Sequence, residues 1–73
     1  MDEQTFPYDH DVLAAFPGAR SYGRGELETT YLAERGGVPY LVVVPRLRGG
    51  SVTVIAFADE RERAAHLARP VTA

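Results

Sequence analysis

The chain of 73 residues contains no cysteine, tryptophan, lysine or asparagine. Without cysteine there is no disulfide scaffold, no zinc ribbon and no thiol nucleophile. Without lysine there is no Schiff base and no lysine clamp on a phosphate. No apolar run approaches the roughly 18 residues that a membrane-spanning helix needs. Met1-Asp2-Glu3-Gln4 also lacks the basic start and apolar stretch of a signal peptide, so the expected address is the cytoplasm. Lysine and asparagine are spelled by A/T-rich codons, and isoleucine occurs once, at Ile55. That pattern points to a G+C-rich source, a bacterium or a phage that infects one. Codon bias inflates arginine there, so the eight arginines are weak evidence for an anionic partner.

What is present describes a folded globule: 45% hydrophobic and 25% charged residues, with a net charge of −2. At this length, residues 1–73 form a single domain near the lower limit for independent folding. The charge is unevenly placed. Residues 1–18 carry Asp2, Glu3, Asp9 and Asp11 with no basic residue, a charge of −4. Residues 19–50 carry five arginines against three glutamates, a charge of +2. This is too mild for a generic nucleic-acid binder.

Residues 1–8 read as an N-terminal arm. A short helix is expected from about Asp11 to Phe16, capped by Asp9 or Asp11 and stopped by Pro17-Gly18. Ala19 to Gly25 reads either as a turn or as a bulged edge, because of Gly23 and Gly25. Three strands follow, over Glu26–Arg35, Val38–Val44 and Ser51–Phe57. Gly36-Gly37 is the two-residue loop of the first hairpin, and Pro45 to Gly50 a longer turn with positive φ at its glycines. Asp59 caps a final helix, with Glu62 completing a capping box; the helix is expected to run through Arg69 and end at Pro70. The expected fold class is α+β: a three-stranded antiparallel β-meander with a short N-terminal helix and a C-terminal helix.

A Gly36-Gly37 loop places Tyr31 opposite Val42, Leu32 opposite Leu41 and Ala33 opposite Tyr40. If Val44 faces Ser51 across the second turn, one face collects Tyr31, Tyr40, Val42, Val44, Ile55 and Phe57. The other then collects Leu32, Leu41, Val43, Val52, Val54 and Ala56. Pro39 lacks an N–H, so pairing of the second strand with the third should stop near Tyr40. Ala64, Leu67 and Ala68 can cover one face, whereas Val12, Leu13 and Phe16 are thin cover for the other. A patch of Tyr31, Tyr40, Ile55 and Phe57 would then drive a homodimer. The alternative is that residues 1–18 fold across it, with Phe6, Tyr8, Leu13 and Phe16 as a lid.

Candidate sites are few. His10 between Asp9 and Asp11 could be a metal or acid–base cluster, but a solvated helix start explains it better. His66 suits the last turn of the final helix. Neither Ser21 nor Ser51 stands in a nucleophile-elbow context, and no catalytic residue, metal or cofactor is expected. Gly23-Arg24-Gly25 and Arg35-Gly36-Gly37 lack the strand–GxGxxG–helix setting of a phosphate loop. Arg46, Leu47 and Arg48 form a protruding loop suited to an anionic surface, with Arg20 and Arg24 as neighbours. The four tyrosines read as packing or interface residues, since a net charge of −2 argues against a base-stacking platform.

The ending Val54-Ile55-Ala56-Phe57-Ala58-Asp59-Glu60-Arg61-Glu62-Arg63-Ala64, in a small acidic meander of this composition, resembles small accessory proteins of phages and mobile elements. The anti-CRISPR inhibitors are the best-known such group. The resemblance implies a non-catalytic module that binds another protein and inhibits a host complex by steric occlusion. A nucleic-acid-binding regulator using the arginine loop is the second reading, and a small enzyme or ligand carrier the third.

Overall fold

The computed structural model describes residues 2–7, 11–46 and 50–68. Five strands, β1 (Asp2–Pro7), β2 (Arg20–Arg24), β3 (Glu28–Arg35), β4 (Val38–Pro45) and β5 (Ser51–Ala56), form one antiparallel sheet in the order β1-β5-β4-β3-β2. Among the described residues one helix, α1 (Glu60–Leu67), follows, and a single 3-10 turn occupies Leu13–Ala15. The expected three-stranded meander with an N-terminal helix is therefore corrected to a mostly β fold. Asp2–Pro7, read as an arm, pairs with β5 from Asp2↔Ala56 to Pro7↔Ser51. Its residues are largely polar, which suits an edge strand that keeps water on one side. Arg20–Arg24 adopts the bulged-edge form, with the register shift between Ser21 and Gly23. The helix expected over Asp11–Phe16 shrinks to one 3-10 turn, because Pro17-Gly18 leaves no room for a second turn; Asp9, one of its two proposed caps, lies outside the described residues.

The central hairpin follows its sequence closely. Tyr31 pairs with Val42, Leu32 with Leu41 and Ala33 with Tyr40. Gly36 and Gly37 have φ of 59° and 79°, the left-handed values that a tight hairpin loop demands and glycine supplies without strain. The β4–β5 ladder begins at Tyr40↔Ala56, as the missing N–H of Pro39 requires. Beyond it the Phe57 N–H donates to the Pro39 carbonyl at 2.9 Å.

The next register departs from expectation by one residue. Val42 faces Val54 and Leu41 faces Ile55, so Val44 does not face Ser51. A single-residue slip exchanges the faces of an entire strand. Val52 and Val54 therefore join Tyr31, Tyr40, Val42 and Val44, while Ile55 and Phe57 join Leu32 and Leu41. The longer turn accounts for the error: a loop of this length does not specify register, whereas a two-residue loop does.

The topology itself supplies the cover for the first of these faces. The chain starts on one outer strand, β1, and must reach the opposite outer strand, β2, so residues 11–19 cross the sheet. Val12 and Phe16 are buried beneath that crossing against Ala33, Val42, Val52 and Val54, with Phe6 and Leu13 packed around them. The lid arrangement holds for Leu13 and Phe16 alone: Phe6 reaches the same cluster from within the sheet, as a residue of β1 paired with Val52, and Tyr8 lies outside the described residues. On the other face α1 packs Leu67 against Leu41, Ile55 and Phe57. The helix presents Arg63 and Leu67 inward, while Ala64 and Ala68 are exposed, which corrects the expected Ala64–Leu67–Ala68 face. Thr5, Thr53 and Thr30 share positions on this face through their pairing with one another and Val43, so the part beyond the helix is hydroxylated and needs no apolar cover.

Asp59 caps α1, its carboxylate accepting from the Glu62 N–H at 2.8 Å. Glu62 reaches back one residue further than a capping box requires, accepting from the Ala58 N–H at 3.1 Å. That hydrogen bond is the main cause holding the Glu62 carboxyl below its ordinary value. The described helix ends at Leu67; Arg69 and Pro70 lie outside the described residues.

Candidate binding surface

The residues chosen from the sequence part company in the structure. Arg20 pairs with Leu32 and so sits on the helix face, whereas Arg24 pairs with Thr29 on the face crossed by residues 11–19. Arg46, immediately after β4, is exposed. Leu47 and Arg48 lie outside the described residues, as do Asp9, His10 and Gly49. The patch of Tyr31, Tyr40, Ile55 and Phe57 does not exist as one surface. Tyr31 and Tyr40 belong to the crossed face, and Ile55 and Phe57 to the helix face, where Phe57 stacks 5.3 Å from the His66 ring. Among the described residues no group of three or more His, Asp or Glu side chains converges as metal ligands. None of the described helices is long and apolar enough to cross a membrane.

What the fold does bring together is Arg24 and Arg46, 22 positions apart in the chain. The turn between β2 and β3 is closed by one hydrogen bond of its own and fastened to the end of β4 by two more, both from Arg46. The Arg46 N–H donates to the Leu27 carbonyl at 2.8 Å, and the Gly25 N–H donates to the Glu28 carbonyl at 2.8 Å. The Arg46 guanidinium donates through Nη1 to the Gly25 carbonyl at 3.0 Å. One arm of the fork is thus tied to the main chain. A groove of about 450 Å³ runs beside it, lined by Ser21, Arg24, Thr29, Tyr31, Val44, Pro45 and Arg46. It holds two guanidiniums, three hydroxyls and no carboxylate, in a chain whose net charge is −2.

Two large hydrophobic side chains are exposed in the strand and turn that flank this groove. Tyr22, in the bulge of β2, is 55% exposed, and Leu27, in the turn held by Arg46, is 67% exposed. The sequence offered a hint of the arginines but none of the pairing with Tyr22 and Leu27. Their exposure follows from a bulge and a turn that only the sheet order places at an outer edge.

A second concavity, of about 410 Å³, lies on the same face toward β1. Its floor is Val54 and Ala56, its wall Phe16 and Tyr40, and its rim carries Asp2, Asp11 and Arg35. The Phe16 and Tyr40 rings stand 4.8 Å apart, and the Arg35 guanidinium lies 5.0 Å above the Phe16 ring. This cation–π stack closes the end of the crossing segment. Its mixed charges make it a packing feature, in contrast to the single-sign groove at the β2 edge.

No family model matches the chain, and no curated protein or solved structure matches it either.

Proposed function

We propose that the protein is a small non-catalytic module that binds another protein through the β2 edge and the turn that follows it. The observation that carries this reading is the exposure of Tyr22 and Leu27 beside Arg24 and Arg46. Protein interfaces are enriched in tyrosine and arginine, and a few such residues dominate their energetics. The tie between Arg46 and Gly25 orders the turn before binding, which lowers the entropy cost of association. The module works by occupying a surface on its partner, with a bacterial cytoplasm as its setting. Inhibition of a host complex, as phage accessory proteins of the anti-CRISPR kind perform it, is the specific role proposed; size and composition support it. A homodimer is no longer part of the reading, since the crossing segment covers the face that called for one.

The test is affinity capture from host lysate with the wild-type chain and with Tyr22→Ser/Leu27→Ser. One host protein should be captured by the former, rebind when purified, and be lost with the latter. Capture that disappears on nuclease treatment and falls steeply between 50 and 200 mM salt, on the order of 10³-fold as for a many-phosphate contact, would replace this reading with nucleic-acid binding.

A further inference from the structure

We infer that the groove between Arg24 and Arg46 is a receptor for a phosphoryl group carried on the partner protein. The inference rests on the proposed binding edge and names the chemistry recognised beside it. Two like charges brought into one groove repel each other, and nothing lining this groove compensates them. The chain has ten acidic residues, yet neither arginine forms an ion pair with one among the described residues. An arrangement of this kind is neutralised by an anion from outside.

The donor set selects the kind of anion. A carboxylate carries one negative charge and is satisfied by a single guanidinium fork. Here two arginines line the groove with the hydroxyl-bearing side chains Ser21, Thr29 and Tyr31. A phosphate monoester carries close to two negative charges and three terminal acceptor oxygens at neutral pH, so it matches both the charge and the number of donors. The Nη1 bond from Arg46 to the Gly25 carbonyl leaves Nε and Nη2 to point elsewhere while fixing the plane of the fork. Backbone geometry adds to the fit. Ser21 and Arg24 flank the bulge of β2, and the irregularity allows both side chains to reach the same face where a regular strand would turn them to opposite faces.

The groove is distinct from the loop patterns Gly23-Arg24-Gly25 and Arg35-Gly36-Gly37 weighed from the sequence. No glycine cradle is involved, and Gly23 and Gly25 do not adopt positive φ. Side chains make the site.

The probe is a blocked Gly–phosphoserine–Gly tripeptide, titrated into the full chain labelled with ¹⁵N, beside its unphosphorylated and aspartate counterparts. Saturable amide shifts should cluster at Ser21, Arg24, Thr29 and Tyr31 with the phosphorylated peptide alone. Arg24→Gln and Arg46→Gln should each weaken binding by about tenfold or more, as loss of charge-assisted hydrogen bonds does. The Arg24 side chain makes no hydrogen bond among the described residues, so its variant tests the site without touching the turn. Equal binding by the aspartate peptide, no saturable shifts, or unchanged affinity in Arg24→Gln would overturn the inference. So would inorganic phosphate binding as tightly as the peptide, or a 5′-phosphorylated oligonucleotide binding more tightly. If the phosphopeptide fails while Tyr22- and Leu27-dependent capture persists, only the phosphoryl assignment falls. Loss of that capture with phosphopeptide binding intact would strike the protein-binding edge instead.

Discussion

The two faces of the sheet are closed by different means. The helix face is covered by a regular, capped element fastened through polar bonds. Arg63, only 8% exposed, donates from Nη1 to the carbonyls of Ala33 at 3.0 Å and Tyr40 at 3.2 Å, and from Nη2 to Glu60 at 2.5 Å. The crossed face is covered by residues 11–19, which hold one 3-10 turn and otherwise no repeating hydrogen-bond pattern. Its cover is held by two apolar plugs, Val12 and Phe16, and the Arg35 stack. A helix closes a face cleanly; a crossing strand of irregular chain leaves space on either side of itself. Two concavities lie on that second face, one toward β1 and one toward β2, and the binding edge proposed above adjoins the latter.

The sharpest way to break this comparison is Phe16→Ala. If the crossing segment is held by its plugs, this one change should cost about 3–5 kcal/mol, the usual range for a fully buried phenylalanine. Urea denaturation measures it. A cost below about 1 kcal/mol would mean that the segment is draped over the sheet and contributes little.

Arg63→Met should cost less, about 2–3 kcal/mol, because it keeps most of the side-chain volume but strips donors from two backbone carbonyls. The ion pair is the minor part. Glu60 is 67% exposed, and an exposed partner adds only a few tenths of a kcal/mol. Glu60→Gln should therefore be close to neutral by the same denaturation assay. A large loss in Glu60→Gln would transfer the weight from the carbonyls to the salt bridge.

Asp59→Ala removes the N-cap and should lower stability by about 1 kcal/mol, with Asp59→Asn nearly restoring it. The smallest effect is a pH dependence. Glu62 holds its proton less tightly folded than unfolded, so the unfolded chain binds more protons and stability rises with pH through this window. Its contribution is present above the ordinary value of 4.5 and is lost as pH falls through the lower, folded value. Thermal melts from pH 6 to pH 3 should show a small drop that is reduced in Glu62→Gln.

Several of these features were legible before any coordinates. The Gly36-Gly37 hairpin, its register, the stop at Tyr40 and the Asp59 cap are local matters, decided by residues within a few positions of one another. The buried role of Arg63 was hidden, because an arginine in Glu60-Arg61-Glu62-Arg63 looks like any solvated helix charge. Only the approach of α1 to the β3–β4 hairpin gives it carbonyls to serve. The polar stretch Asp2–Pro7 resembled an arm because an edge strand with one wet face carries little hydrophobic signal of its own; it becomes a strand when β5 offers a ladder.

Sequence alone, then, determined the Gly36-Gly37 turn, the cap, the pairing of β3 with β4 and the excess of arginine in the middle of the chain. These rest on short-range sterics and hydrogen bonds that each segment carries with it. Tertiary structure decided which face β5 presents, which strands lie at the edges, that residues 11–19 must cross the sheet, and that Arg24 and Arg46 share a groove while Arg20 does not. Each of those depends on pairing between segments far apart in the chain, where a shift of one residue reverses every side chain and no local preference selects the register.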